Sequence, residues 1–280
     1  MHSSSAARVA GIVVALALAA PSAAQSPLPV LAVWAQQKTA FGIFVPNENP
    51  APRERGAPPP KAMYSREGGE RLAAHPLYDF VFLNMEGSYD AAGIKAIAEG
   101  LRSPKAVSRK ALLVRVPTVE AAGADAVRGY IREAFALGAD GVTVPHIRSV
   151  DEAKLVLGFF KETGVNIWSP ANPRGDKLAM LMLEDPGAVA QAAEIAGLRG
   201  YSILACGIGS LTAALNGDRA AAEAGNQQVL AATKQAKLVN MLTASPQDVA
   251  KRVGEGFLAL LGQGPAAEEM ITLGRQAAGR

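Results

Sequence analysis

The sequence of 280 residues has one cysteine, Cys206. A lone thiol excludes an internal disulfide framework and any zinc site built on several thiolates. Charge of one sign is also missing. The formal net charge is +3 and the basic residues form no long cluster. That excludes a nucleic-acid binder that neutralises many phosphates. Glycine (28) and proline (18) show no repeat period, so collagen-like and low-complexity chains are excluded. The longest apolar run, Val9 to Ala20, falls short of the roughly 20 residues that span a bilayer. What is present is an ordinary globular balance, 49% hydrophobic and 19% charged.

The first residues read as a leader. Met1 to Arg8 is weakly basic, the apolar run follows, and Pro21-Ser22-Ala23-Ala24 places small residues at −3 and −1. This predicts a secretory signal peptide over 1–24, cut before Gln25. The run has no polar face, which argues against an amphipathic anchor. No cysteine stands at the cut, which argues against a lipoprotein. Residues 25–280 are therefore expected as one soluble domain, periplasmic or secreted, with no membrane partner after cleavage.

From Phe41 onward short apolar runs alternate with helical patterns. Strands are expected at 42–45, 78–83, 111–116, 141–144, 178–183, 201–205, 237–242 and 256–261. Helices are expected at 91–101, 124–137, 150–162, 188–196 and 246–253, and from Ala266. Val45 to Lys61, rich in proline, reads as a long loop. Ser149, Asp185 and Ser245 stand as helix caps, the last two before proline. Near-continuous apolar strands suit a parallel sheet buried on both faces. Eight such units in about 250 residues predict an α/β fold, a single (β/α)8 (TIM) barrel. A doubly wound open sheet is second, weakened because no G-x-G-x-x-G follows the first strand.

In such a barrel the chemistry sits at the C-terminal strand ends. That rule selects Asn84 and Glu86, Arg115, His146, Glu184, and the run Cys206 to Ser210. Arg115, inside the apolar LLVRVP, needs an anion: a substrate carboxylate, or Glu86 or Glu184 as a structural partner. Glu184 is a metal ligand or a helix N-terminal charge. Glu86 is an acid–base group or an anchor for a neighbour. His146 stands at a strand mouth. His75 precedes Pro76 at a helix end and reads as structural. Cys206 reads as a small core residue.

Five blocks then occur in order: LNMEG (83–87), LLVRVP (112–117), GADGVTVPHIRSVDEAK (138–154), MLEDPGAV (182–189) and ACGIGSLTAALNG (205–217). Together they resemble the HpcH/HpaI aldolase/citrate lyase family. The resemblance implies an oligomeric barrel that cleaves a carbon–carbon bond of a small oxo or hydroxy carboxylic acid. It implies release of pyruvate or an acyl product, with Mg2+ or Mn2+ polarising the enolate oxygens. It gives Arg115 the reacting oxygen, with Gly207 and Ser210 beside the substrate, and Glu184 the metal. Glu86 matches the acidic residue after the second strand.

The chain departs from the family pattern at three positions. Asn84 replaces an aspartate and Gly87 a histidine, the two members of the proton-transfer dyad. Ser210 replaces the second metal carboxylate and leaves a neutral oxygen there, so metal binding is expected to be weak. His146, Glu86 or Asp90 would have to replace the missing base. The expected function is an exported lyase. The alternative is a catalytically altered or inactive barrel that binds small carboxylates.

Overall fold

The computed structural model describes residues 28–49 and 61–280. The expected leader, its cut before Gln25 and most of the proline-rich loop lie outside the described residues. The chain begins with α1 (Pro29–Ala35), β1 (Ala40–Phe44), α2 (Arg66–Ala74), β2 (Phe80–Asn84) and α3 (Ala91–Leu101). β3 (Ala111–Arg115), α4 (Val119–Ala122), α5 (Ala124–Ala136), β4 (Gly141–Val144) and α6 (Val150–Glu162) follow. Then come β5 (Leu178–Leu183), α7 (Pro186–Ala190), α8 (Ala192–Ala196), β6 (Ile203–Cys206) and α9 (Ile208–Ala214). The chain closes with α10 (Arg219–Ala236), β7 (Val239–Thr243), α11 (Val249–Gly254), β8 (Ala259–Gly262) and α12 (Ala267–Ala277).

Each strand pairs parallel with the next, and β8 pairs with β1, so the sheet closes into an eight-stranded barrel. Strand alternation sorts the side chains into two cores. Val81, Leu112, Val142, Leu181 and Leu204 face the helices. Phe80, Leu113, Met180, Ile203 and Val239 fill the barrel. Phe80 fits because β1 offers Gly42 opposite it, where any Cβ would collide with the ring. α1 stops the N-terminal end of the barrel. Its Val30 and Trp34, with Leu28 just before it, join the interior core, and Trp34 Nε1 donates to the Leu258 carbonyl at 2.9 Å.

Several boundaries differ from expectation for local reasons. Strand β7 starts at Val239 because Lys237 caps α10 in a left-handed conformation, φ 59°. Strand β8 starts at Ala259. Gly256 turns at φ 83°, and Leu258 N donates to Asn240 Oδ1 instead of to a strand. The helix expected at 188–196 is two helices parted at Gln191, whose Oε1 accepts from Val150 N. Ser149 and Asp185 cap α6 and α7 as expected. Ser245 caps nothing: it donates to Asp248, which stands at the start of α11.

Candidate active site

Both Arg115, the last residue of β3, and Glu184, just after β5, line one cavity of about 380 Å³ at the C-terminal end of the barrel. Asn84 closes β2 and shares that lining. Its Oδ1 accepts from Arg115 Nε at 2.8 Å and from Glu86 N at 3.1 Å. Arg115 Nη2 pairs with Glu86 Oε2 at 2.6 Å. Arg115 Nη1 has no partner among the described residues. The guanidinium is thus aimed by two neighbours and retains a free donor edge. Arg115 thus pairs with Glu86, one of the two structural partners the sequence offered, and also faces the cavity.

Glu184 has 2% of its side chain exposed. Its Oε2 accepts from the backbone N–H of His146 at 3.1 Å. Its Oε1 accepts no hydrogen bond from any described residue. Gly207 makes room for that oxygen, since a Cβ at 207 would overlap Oε1. Gly207 therefore has a definite structural part: it leaves a seat for a carboxylate. Ser210, on α9, lines the same cavity. An uncommitted carboxylate oxygen in a cradle only glycine leaves, with a hydroxyl on the same wall, is an oxygen donor set. It fits a hard divalent cation.

His146 adopts φ 52°, unusual for a residue with a side chain. Its Nε2 lies 3.2 Å from Glu86 Oε1 and 3.5 Å from Glu184 Oε2. Ligand atoms of these three residues lie within 4.8 Å of one another. The contact with Glu86 raises the His146 pKa above its ordinary value; burial and Arg115 oppose this, and Glu184 adds to it. For Glu86, burial alone would raise the pKa. The contact with His146 and the Arg115 charge outweigh it and hold the carboxyl low. Neither His146 nor Glu86 lines the cavity; each touches a residue that does.

The other sequence candidates sort cleanly. Asp90 caps α3, its Oδ1 accepting from Gly93 N at 3.2 Å, so it is committed to the helix. His75 caps the end of α2 and stacks on Tyr78, as expected for a structural residue. Cys206 is buried, and burial together with Glu184 pushes its thiol up to about 12, so it is an inert core group. Position 87 is open: a Cβ there meets nothing within 4 Å. Sequence reasoning missed Thr243, the last residue of β7, and Gln263, just after β8, which also line the cavity. The strand-end rule reaches both; their neutral side chains carry no signal of charge.

The chain belongs to the HpcH/HpaI aldolase/citrate lyase family, whose model matches residues 71–260. The family is one of lyases, built on the barrel described above. Among solved structures, a family member from Burkholderia cenocepacia J2315 is 18% identical. It covers 89% of this chain and 97% of its own, at a TM-score of 0.65. The citrate synthase SbnG is 16% identical, covers 89% of this chain and 96% of its own, and has a TM-score of 0.63. A citrate lyase beta subunit from M. tuberculosis, complexed with oxaloacetate and magnesium, is 17% identical. It covers 86% of this chain and 97% of its own, at a TM-score of 0.56. At such identities the likeness is one of fold. No curated protein sequence matches the chain.

Proposed function

We propose that the protein is a carbon–carbon lyase for a small hydroxy-oxo acid, releasing pyruvate or a related enolate, and that it works after export. The observation that carries this is the opposition of two uncommitted groups in one cavity. Arg115 offers a free guanidinium edge and Glu184 a free carboxylate oxygen. Arg115 binds the oxo-acid carboxylate, held in plane by Asn84 and Glu86. Glu184 and Ser210 would hold Mg2+ or Mn2+. Such a cation supplies positive charge where the enolate develops as the bond breaks. The hydroxyl proton is assigned to the Glu86–His146 pair, the acid–base couple beside Arg115. A raised imidazole pKa suits a group that takes and returns a proton near neutrality.

A second reading, a barrel that only binds small carboxylates, is favoured by one observation. The Glu86–His146 pair stands off the cavity wall. Proton exchange at the pyruvate methyl group separates the two. In D2O with Mn2+, followed by NMR, the lyase reading expects protein-dependent deuterium uptake that Arg115→Lys abolishes. Lysine keeps the charge but not the planar two-point contact. Pyruvate that binds, by calorimetry, yet never exchanges would leave only the second reading. Export is tested by intact mass of the product from a bacterial host: a chain beginning at Gln25 is expected, and recovery of the full chain would count against it.

A further inference from the structure

Glu86 and His146, which stand off the cavity wall, meet Glu184, which lines it. His146 Nε2 is 3.2 Å from Glu86 Oε1 and 3.5 Å from Glu184 Oε2. The second separation is too long for a good hydrogen bond. Both suit two ligands of one ion: ligands at the roughly 2.0–2.1 Å of a tetrahedral Zn2+ stand about 3.3 Å apart. All three ligand atoms lie within 4.8 Å of one another. The set is held without an ion. Arg115 Nη2 holds the other Glu86 oxygen at 2.6 Å, and Asn84 Oδ1 accepts from Glu86 N at 3.1 Å. His146 N donates to Glu184 Oε2 at 3.1 Å. Two carboxylates meet one guanidinium here, a surplus of negative charge, and one of them, Glu184, is buried. The Glu86 and His146 side chains are 24% and 34% exposed, so an ion has a way in from solvent.

We propose that Glu86 Oε1, His146 Nε2 and Glu184 Oε2 form a second cation site, for a borderline transition-metal dication such as Zn2+, apart from the seat at Glu184 Oε1 and Ser210. The nitrogen decides the class of cation. Mg2+ takes oxygen ligands and keeps its waters, whereas imidazole suits Zn2+ and its neighbours. Three protein ligands with one position left to water is the arrangement of an open zinc site. An ion there takes the lone pair that the imidazole otherwise offers to a proton. Cation and proton are therefore alternatives at the Glu86–His146 pair. The site stands on its own geometry and does not depend on the lyase reading.

Titration calorimetry of the full chain with Zn2+ and with Mg2+ tests this. His146→Asn is the variant of choice, because asparagine tolerates the left-handed backbone at that position. It should weaken Zn2+ binding roughly tenfold or more and move Mg2+ affinity by less than about twofold. Glu86→Gln should also weaken Zn2+, and Ser210→Ala should leave Zn2+ affinity within about twofold. Pulsed EPR with Cu2+ as a spectroscopic stand-in should show the nitrogen coupling of an imidazole, lost in His146→Asn and kept in His75→Gln. On the parent protein that measurement needs no variant to fold. A parent spectrum without imidazole coupling overturns the site. So does Zn2+ affinity that His146→Asn leaves unchanged, which marks an adventitious ion only. Joint loss of Zn2+ and Mg2+ in that variant marks one shared seat and overturns it too. Deuterium exchange at pyruvate bears on the lyase reading alone: its absence, with imidazole coupling present, removes that reading and leaves the site standing.

Discussion

The two ends of the barrel handle charge in opposite ways. At the N-terminal end, Asp140 is 1% exposed and fully engaged. Arg102 and Arg109 pair with it, the latter at 2.7 Å, and Leu112 N donates to it at 2.9 Å. Nearby, Asp79 takes two bonds from Arg280 at 2.7 and 2.8 Å and one from Phe41 N at 2.8 Å. At the C-terminal end, Glu184 is as buried as Asp140 but keeps one oxygen free, and Arg115 keeps a free edge. A buried charge with its partners in place contributes to the fold. One with a vacant bond is held ready for something else.

The largest effect should come from breaking the saturated end. Asp140→Ala leaves Arg102, Arg109 and a buried N–H without their acceptor. A loss of about 3–5 kcal/mol in urea unfolding is expected. Glu184→Gln, an equally buried site, should change stability by about 1 kcal/mol or less, because Gln can still accept from His146 N. It should nevertheless remove Mn2+ binding by calorimetry. Equal destabilisation by the two would end the contrast.

Gly207→Ala comes next. The methyl group meets Glu184 Oε1, and a cost of about 1–3 kcal/mol is expected in the same unfolding assay. Mn2+ affinity should fall with it, since the carboxylate must swing away. Ser210→Asp adds an anionic ligand at the unsaturated end. Mn2+ should bind on the order of tenfold more tightly, about 1.4 kcal/mol, at little change in melting temperature.

The smallest effect is a titration. In the metal-free protein, His146 should titrate above 6.5 by NMR, and Glu86→Gln should bring it down. The sign for stability follows from both shifts. The His146 contribution is present below its unfolded-state value and is lost as pH rises through the raised folded value. The Glu86 contribution is present above its unfolded-state value and is lost as pH falls through the lowered one. The pair therefore stabilises the fold between those two limits. A His146 titration at or below 6.5 would contradict the contact with Glu86.

Most of the barrel was readable because parallel strands buried on both faces must be apolar throughout. β4 and β5 fall on the expected residues for that reason, and α3 and α6 because a cap and a one-sided apolar pattern mark them. α10 was not expected. RAAAEAGNQQVLAATKQA is rich in alanine and has no strong apolar stripe, so periodicity is silent. Asp218 as its cap and the alanine content were the available signals. α1 escaped notice beside the leader, although Trp34 within it closes the barrel. At the site, charge inside an apolar strand betrayed Arg115, and the strand-end rule found Glu184. In the sequence Asn84 is only a loss of charge. The structure shows a carbonyl oxygen that two donors share, a place that aspartate would also suit.

Gly207 has a consequence for comparing sequences. Every other amino acid carries a Cβ, so every missense change at this codon removes the seat of the Glu184 carboxylate. The two positions form one heritable unit separated by 22 intervening residues. A relative with a side chain at the first should show a shorter or uncharged residue at the second. A pair that violated this would mark a barrel whose strand six has shifted against strand five.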